Sequence, residues 1–123
     1  MEIIINDKRI IQTLQEEFNS EYPFLKLEFF SKPHKSGRGT AIKYMKGHLK
    51  TIGECRTVRK NGKIIVTPQM TVSDLEQSFS DPFGLGVQVF RKSGKIWLET
   101  TMTDGWTLEE QNHQGQMLSD GRR

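Results

Sequence analysis

The stretch from Thr71 to Thr101, TVSDLEQSFSDPFGLGVQVFRKSGKIWLETT, constrains the fold most, because a capped helix, a glycine stop and a two-stranded hairpin follow one another in it. Thr71 is placed to accept a hydrogen bond from the backbone N–H of Asp74, and Asp74 suits the positive end of the helix dipole. Val72, Leu75 and Phe79 fall at i, i+3 and i+7, which gives the helix one apolar stripe. Pro82 cannot continue helical hydrogen bonding and Gly84 can take the left-handed conformation of a C-terminal cap, so the helix is predicted to end there. From Gly86 the period changes to two. Val87 and Val89 alternate with Gln88 and Phe90, and IWLETT resumes the pattern after Arg91, Lys92, Ser93, Gly94 and Lys95. The resulting hairpin carries Phe90 and Trp97 on the face opposite Val87 and Val89, so part of that second face must be covered or must bind something.

A chain of 123 residues is the size of one domain, and 34% hydrophobic residues with a mean hydropathy of −0.60 leave room for considerable polar loop. The N-terminus, MEIIINDKR, is acidic where a signal peptide would be basic, and no apolar run approaches membrane-spanning length. Cys55 is the only cysteine, which excludes an internal disulfide and a thiolate zinc site built by cysteine alone. These features predict a cytoplasmic protein with no membrane partner.

Taken in order, Glu2 to Asn6 reads as a short β-branched strand, with Asn6 or Asp7 capping a helix whose apolar positions are Ile10, Ile11, Leu14 and Phe18. Phe24 to Phe30 alternates as a second strand. Were both strands in one sheet and parallel, their crossover would be right-handed. Thr51 to Lys60 and Lys63 to Thr67 read as two further strands joined by Asn61 and Gly62, a favoured pair for a type I′ turn. Thr103 to Asn112 resembles a short helix, with Thr107 and Glu110 in capping-box spacing. The order predicts an α+β fold: β-α-β, then a β-hairpin, a helix and a second β-hairpin, in a mostly antiparallel sheet with two helices on one face and a short C-terminal helix. One domain is expected over residues 1–112, with a mobile basic loop at about 31–50 and a flexible tail over 113–123. Two small sheets are the alternative. No internal repeat is evident.

Charge supplies the functional lead. Between Lys32 and Lys63 there are ten basic residues against Glu54 alone, so this segment carries +9 and the remainder −6 of the net +3. Lys35, Arg38, Lys43, Lys46, Lys50, Arg59 and Lys60, in a Gly-containing loop and the run after it, are the candidate contacts to nucleic acid or another polyanion, because long cationic side chains and backbone N–H groups can approach phosphate together. A set of lysines that merely solvates a loop is the bland alternative. No named nucleic-acid module, catalytic constellation, metal-ligand spacing or cofactor motif is met. A small enzyme is the least favoured class, since no nucleophile stands at a recognisable spacing and SGRGT at residues 36–40 lacks a strand before it and a capped helix after it. A third class is a protein-interaction module or homodimer that uses a hairpin edge and an aromatic patch of Phe90, Trp97 and Trp106.

The run from Phe83 to Asn112, FGLGVQVFRKSGKIWLETTMTDGWTLEEQN, resembles a group of small bacterial proteins carrying an FGLxVQVFRKSGxxWLETTxTDxWTLEEQN-like signature. The resemblance covers about the last third of the chain. It implies a bacterial cytoplasmic protein and brings no activity, ligand or catalytic residue; the basic loop lies outside it.

Overall fold

The chain opens on strand β1 (Glu2–Ile5), in which Ile3 and Ile5 are fully buried and Glu2 and Ile4 face outward, the period of a half-buried strand. The computed structural model describes residues 1–31 and 45–120. Helix α1 (Ile11–Glu21) buries Ile11, Leu14 and Phe18, and strand β2 (Leu25–Phe30) buries Leu25, Leu27 and Phe29 beneath it. After a one-turn 3-10 segment (Gly53–Cys55) come β3 (Gly62–Ile65), α2 (Val72–Phe83), β4 (Gly86–Ser93), β5 (Ile96–Glu99) and α3 (Leu108–Ser119). The five strands form two antiparallel sheets, β1-β3 and β2-β4-β5, in a mixed α+β domain. One core joins the sheets and helices, and each fully buried Phe or Leu contributes roughly 1.5–3 kcal/mol of transfer free energy.

The expected cap and glycine stop of α2 and the second hairpin are present, with two differences: the helix runs past Pro82, and β4 extends to Ser93. Thr71 accepts from Asp74 N–H at 3.0 Å while the Asp74 carboxylate accepts from the Thr71 N–H, a complete capping box. The helix continues through Pro82 to Phe83, and Gly84 closes it at φ +64°. The β4–β5 turn is shorter than the sequence suggests. Ser93 pairs with Ile96, leaving a two-residue turn of Gly94 and Lys95, and Gly94 at φ +65° satisfies a type II′ geometry.

Other expectations are corrected. β1 and β2 lie in different sheets, so they form no crossover unit. Residues 51–60 make no strand, and Gly62 is not a turn residue but the first residue of β3, opposite Ile5. The long-range pairing wins because it buries Ile64 against the core, and Gly62 is needed there because a Cβ would come within 3.0 Å of the Phe83 ring. Neither Asn6 nor Asp7 caps α1. Its cap position is Ile10, and the first free N–H groups, of Ile11 and Gln12, donate to the carbonyls of Lys50 and His48. Residues 113–119, read as tail, belong to α3, which buries Leu108, Gln111 and Gly115.

The structure also reveals a repeat that the sequence conceals. β1, α1 and β2 correspond to β3, α2 and β4, with Ile3 matching Ile64, Leu14 matching Leu75, Phe18 matching Phe79, and Glu28 matching Gln88. In the first sheet Ile3 pairs with Ile64, and in the second Glu28 pairs with Gln88. A residue that pairs antiparallel with its own counterpart sits on a local twofold axis, so a pseudo-twofold relates the halves through both sheets. Their ends match as well. Ile10 bridges Thr51, as Thr71 bridges Thr107, and both Thr51 with Glu54 and Thr107 with Glu110 form capping boxes. From the second box grows α3. From the first the helix stops after one turn, because the chain must return to lay β3 beside β1.

Candidate binding surface

Sheet β2-β4-β5 turns Leu25, Leu27, Phe29, Val87 and Val89 toward the helices, so the alternate residues form the opposite, outer face, on which Phe30 and Gln88 are buried and Lys26, Glu28, Phe90 and Trp97 half-buried. There Lys26 stands opposite Phe90, Glu28 opposite Gln88, and Trp97 opposite Lys92. The Lys26 ammonium lies 5.1 Å from the Trp97 ring centroid and 5.5 Å from that of Phe90, and pairs with Glu28 at 3.2 Å. Trp106 is not part of this cluster. It packs 5.8 Å from the guanidinium of Arg91, on the helix-facing side, where Arg91 also donates to Gln111. Phe90 and Trp97 therefore come together and the third expected aromatic does not.

A groove of about 480 Å³ adjoins the cluster, lined by α1, β2, Met45 to His48 and Trp97. Its rim is built by the β2 edge, whose carbonyls at Leu25 and Leu27 accept from the Asn19 and Gln15 side-chain amides, and whose Phe29 carbonyl accepts from Lys46 N–H at 2.7 Å. The same segment closes the N-terminus of α1 through Lys50 and His48, so the described end of the basic loop is held by backbone hydrogen bonds. Lys46 and His48 face the groove together with Glu16 and Glu28.

Of the seven expected polyanion contacts, Lys35, Arg38 and Lys43 lie outside the described residues. Lys46 lines the groove, Lys50 pairs with Glu54 at 3.7 Å, and Arg59 pairs with Asp7 at 3.2 Å. Lys60 is exposed, and neither it nor Lys46 has an ion pair among the described residues. Exposed pairs such as those of Lys50 and Arg59 are worth only about 0–1 kcal/mol, so both side chains can be drawn to another anion. Arg56 differs. Its side chain is buried, donating to Asp7 and to the Phe83 carbonyl, and it serves the fold. Arg56 holds the Asp7 carboxyl below the usual carboxylate range.

Cys55 is buried, donates to the Thr51 carbonyl, and burial pushes its thiol above its ordinary value. Among the described residues no cluster of three or more His, Cys, Asp or Glu side chains could hold a metal, and no helix is long and apolar enough to cross a membrane. Sequence reasoning missed Lys26, Gln15 and Asn19. Lys26 becomes visible only once the β2–β4 register sets it beside Phe90. No family model, curated protein or solved structure matches the chain.

Proposed function

We propose that the protein is a non-enzymatic binding module that takes single-stranded nucleic acid on the outer face of β2-β4-β5 where Lys26, Phe90 and Trp97 meet. The observation that carries this reading is the Lys26 ammonium set between Phe90 and Trp97 beside a groove bearing Lys46. A nucleobase stacked on an aromatic ring is worth roughly 1–3 kcal/mol, against about 0.5–1 kcal/mol for an exposed cation–π contact. A base therefore displaces Lys26 from Trp97, and the freed ammonium meets the adjoining phosphate. Lys32, Lys35, Arg38 and Lys43 lie in the sequence between Ser31, which follows β2, and Met45, which bridges Phe30. Lys50, Arg59 and Lys60 add exposed charge. A bacterial cytoplasmic setting belongs to the same proposal.

The test is titration of single-stranded and duplex DNA and RNA against tryptophan fluorescence in a Trp106→Phe background, at about 50 and 200 mM salt. Single strands are expected to quench Trp97 and to bind with a log–log salt slope of roughly −0.7 per phosphate contacted. Lys46→Glu is expected to weaken binding and flatten that slope, and Trp97→Ala to weaken it while leaving the slope nearly unchanged. Absence of binding to all four polymers at low salt overturns the reading.

A further inference from the structure

We infer that the chain self-associates through β5, pairing antiparallel with β5 of a second copy in a register centred on Trp97. Among the described residues β5 is the edge of its sheet, paired on one side by β4. The two-residue turn fixes which backbone groups are spent. Ser93 and Ile96 flank the turn and bond to each other, so Ile96 and Leu98 face β4 while the N–H and C=O groups of Trp97 and Glu99 point outward. Val89 confirms the alternation: it faces the β5 side beyond the strand's end, and there the Glu76 carboxylate accepts from its N–H and the Thr100 hydroxyl donates to its carbonyl. Side chains thus close the sheet edge at Val89, whereas nothing among the described residues closes it at Trp97.

Two copies of an edge can pair only where outward groups meet outward groups, which requires odd-numbered residues opposite odd-numbered ones. Centring on Trp97 places Lys95 opposite Glu99 of the second copy and Glu99 opposite its Lys95. Sliding by two residues either way removes both charge pairs. The sequence KIWLE is therefore self-complementary in one register. That register also covers apolar surface, since Ile96 at 60% exposure and Leu98 at 39% stand opposite each other across the interface. Edge strands ordinarily carry a central charge, a proline or a bulge that discourages such pairing, and Ile96, Trp97 and Leu98 supply none. The two Trp97 side chains meet at the axis on the outer faces, which sets two binding surfaces side by side. Self-association does not depend on what those surfaces bind.

Sedimentation equilibrium from about 5 to 500 µM tests this, because a short strand pair gives a concentration-dependent dimer rather than an obligate one. The wild type is expected to rise from 14.2 kDa toward twice that mass. Lys95→Glu and Glu99→Lys each place like charges opposite one another and are expected to weaken the dimer at least tenfold. Mixed together, the two variants again set a carboxylate against an ammonium at both ends of the strand pair, with the signs exchanged at one end. They are expected to form a heterodimer of wild-type affinity. A monomer throughout the range, dimerisation unaffected by either variant, or failure of the mixture to associate overturns the proposal.

Discussion

Asp7 shows how a single side chain changes role between sequence and fold. A carboxylate just ahead of an apolar run reads as a helix cap, yet here it accepts from Arg56 at 2.8 and 2.9 Å and from Arg59 at 3.2 Å. Its cap duty is unnecessary because backbone carbonyls of the 48–50 segment already take the α1 N–H groups. Donation from Arg56 lowers the Asp7 carboxyl, and the capping-box Glu54 and Glu110 are lowered chiefly by the backbone N–H groups of Thr51 and Thr107. A carboxyl whose folded value is depressed stabilises the fold above its unfolded value, and that contribution is lost as pH falls through the folded one. The urea midpoint is expected to be flat near neutrality and to drop below about pH 4. Asp7→Asn is expected to be less stable at neutral pH and to lose less on acidification. Equal acid sensitivity in wild type and variant would remove Asp7 from this account.

At the level of elements, local chemistry makes α2 and the β4–β5 hairpin legible, because a cap, a glycine stop and a change of period all lie within a few residues of what they control. Gly84→Ala tests the stop. A side chain there must hold a left-handed conformation costing about 1–2 kcal/mol, and its Cβ would lie 2.7 Å from Val58, so a loss of about 2 kcal/mol is expected in urea unfolding. Elements set by distant partners are not legible. Asn-Gly favours a local hairpin for β3, yet the register of that strand is fixed by burial against β1, a long-range term no window reveals. The end of α3 is hidden because polar residues surround Gln111 and Gly115, whose burial depends on Phe24 and Arg91. The outer face is legible at Phe90 and Trp97 but not at Lys26, which reaches them across a strand boundary. The caps themselves work in pairs. Val72 and Ser73 donate to the carbonyls of Trp106 and Asp104, and Leu108 and Glu109 donate to those of Met70 and Pro68. Thr107→Ala breaks one box and is expected to cost about 1–2 kcal/mol, with loss of exchange protection at the starts of both α2 and α3 rather than at α3 alone.

Across the whole molecule, the duplication governs cooperativity. Each half contributes one strand to β1-β3, and β2 of the first half pairs with β4 of the second, so neither sheet is complete without both halves. α1 covers β2 and α2 covers β4, and the aromatic side chains cross the boundary, with Phe29 meeting Phe79 edge-on at 5.8 Å. The repeat escapes sequence comparison because only a few core positions retain their identity: the surface of one half is basic and the loops differ in length, while burial period and strand register are kept. The halves meet in sequence at Thr57 to Asn61, which is exposed and carries no helix or strand. Cutting there removes little packing, since the contacts that join the halves are made by the elements on either side. Separate polypeptides of residues 1–60 and 61–123 are therefore expected to lack a cooperative thermal transition alone, each exposing the sheet edge and apolar face the other covers. Mixed at equal concentration, they are expected to recover the far-UV circular dichroism of the intact chain and one transition whose midpoint rises with concentration, the signature of folding linked to association. A fragment that unfolds cooperatively by itself as a monomer would show that a half completes its own core, and the interlocked architecture would then not be what holds the molecule together.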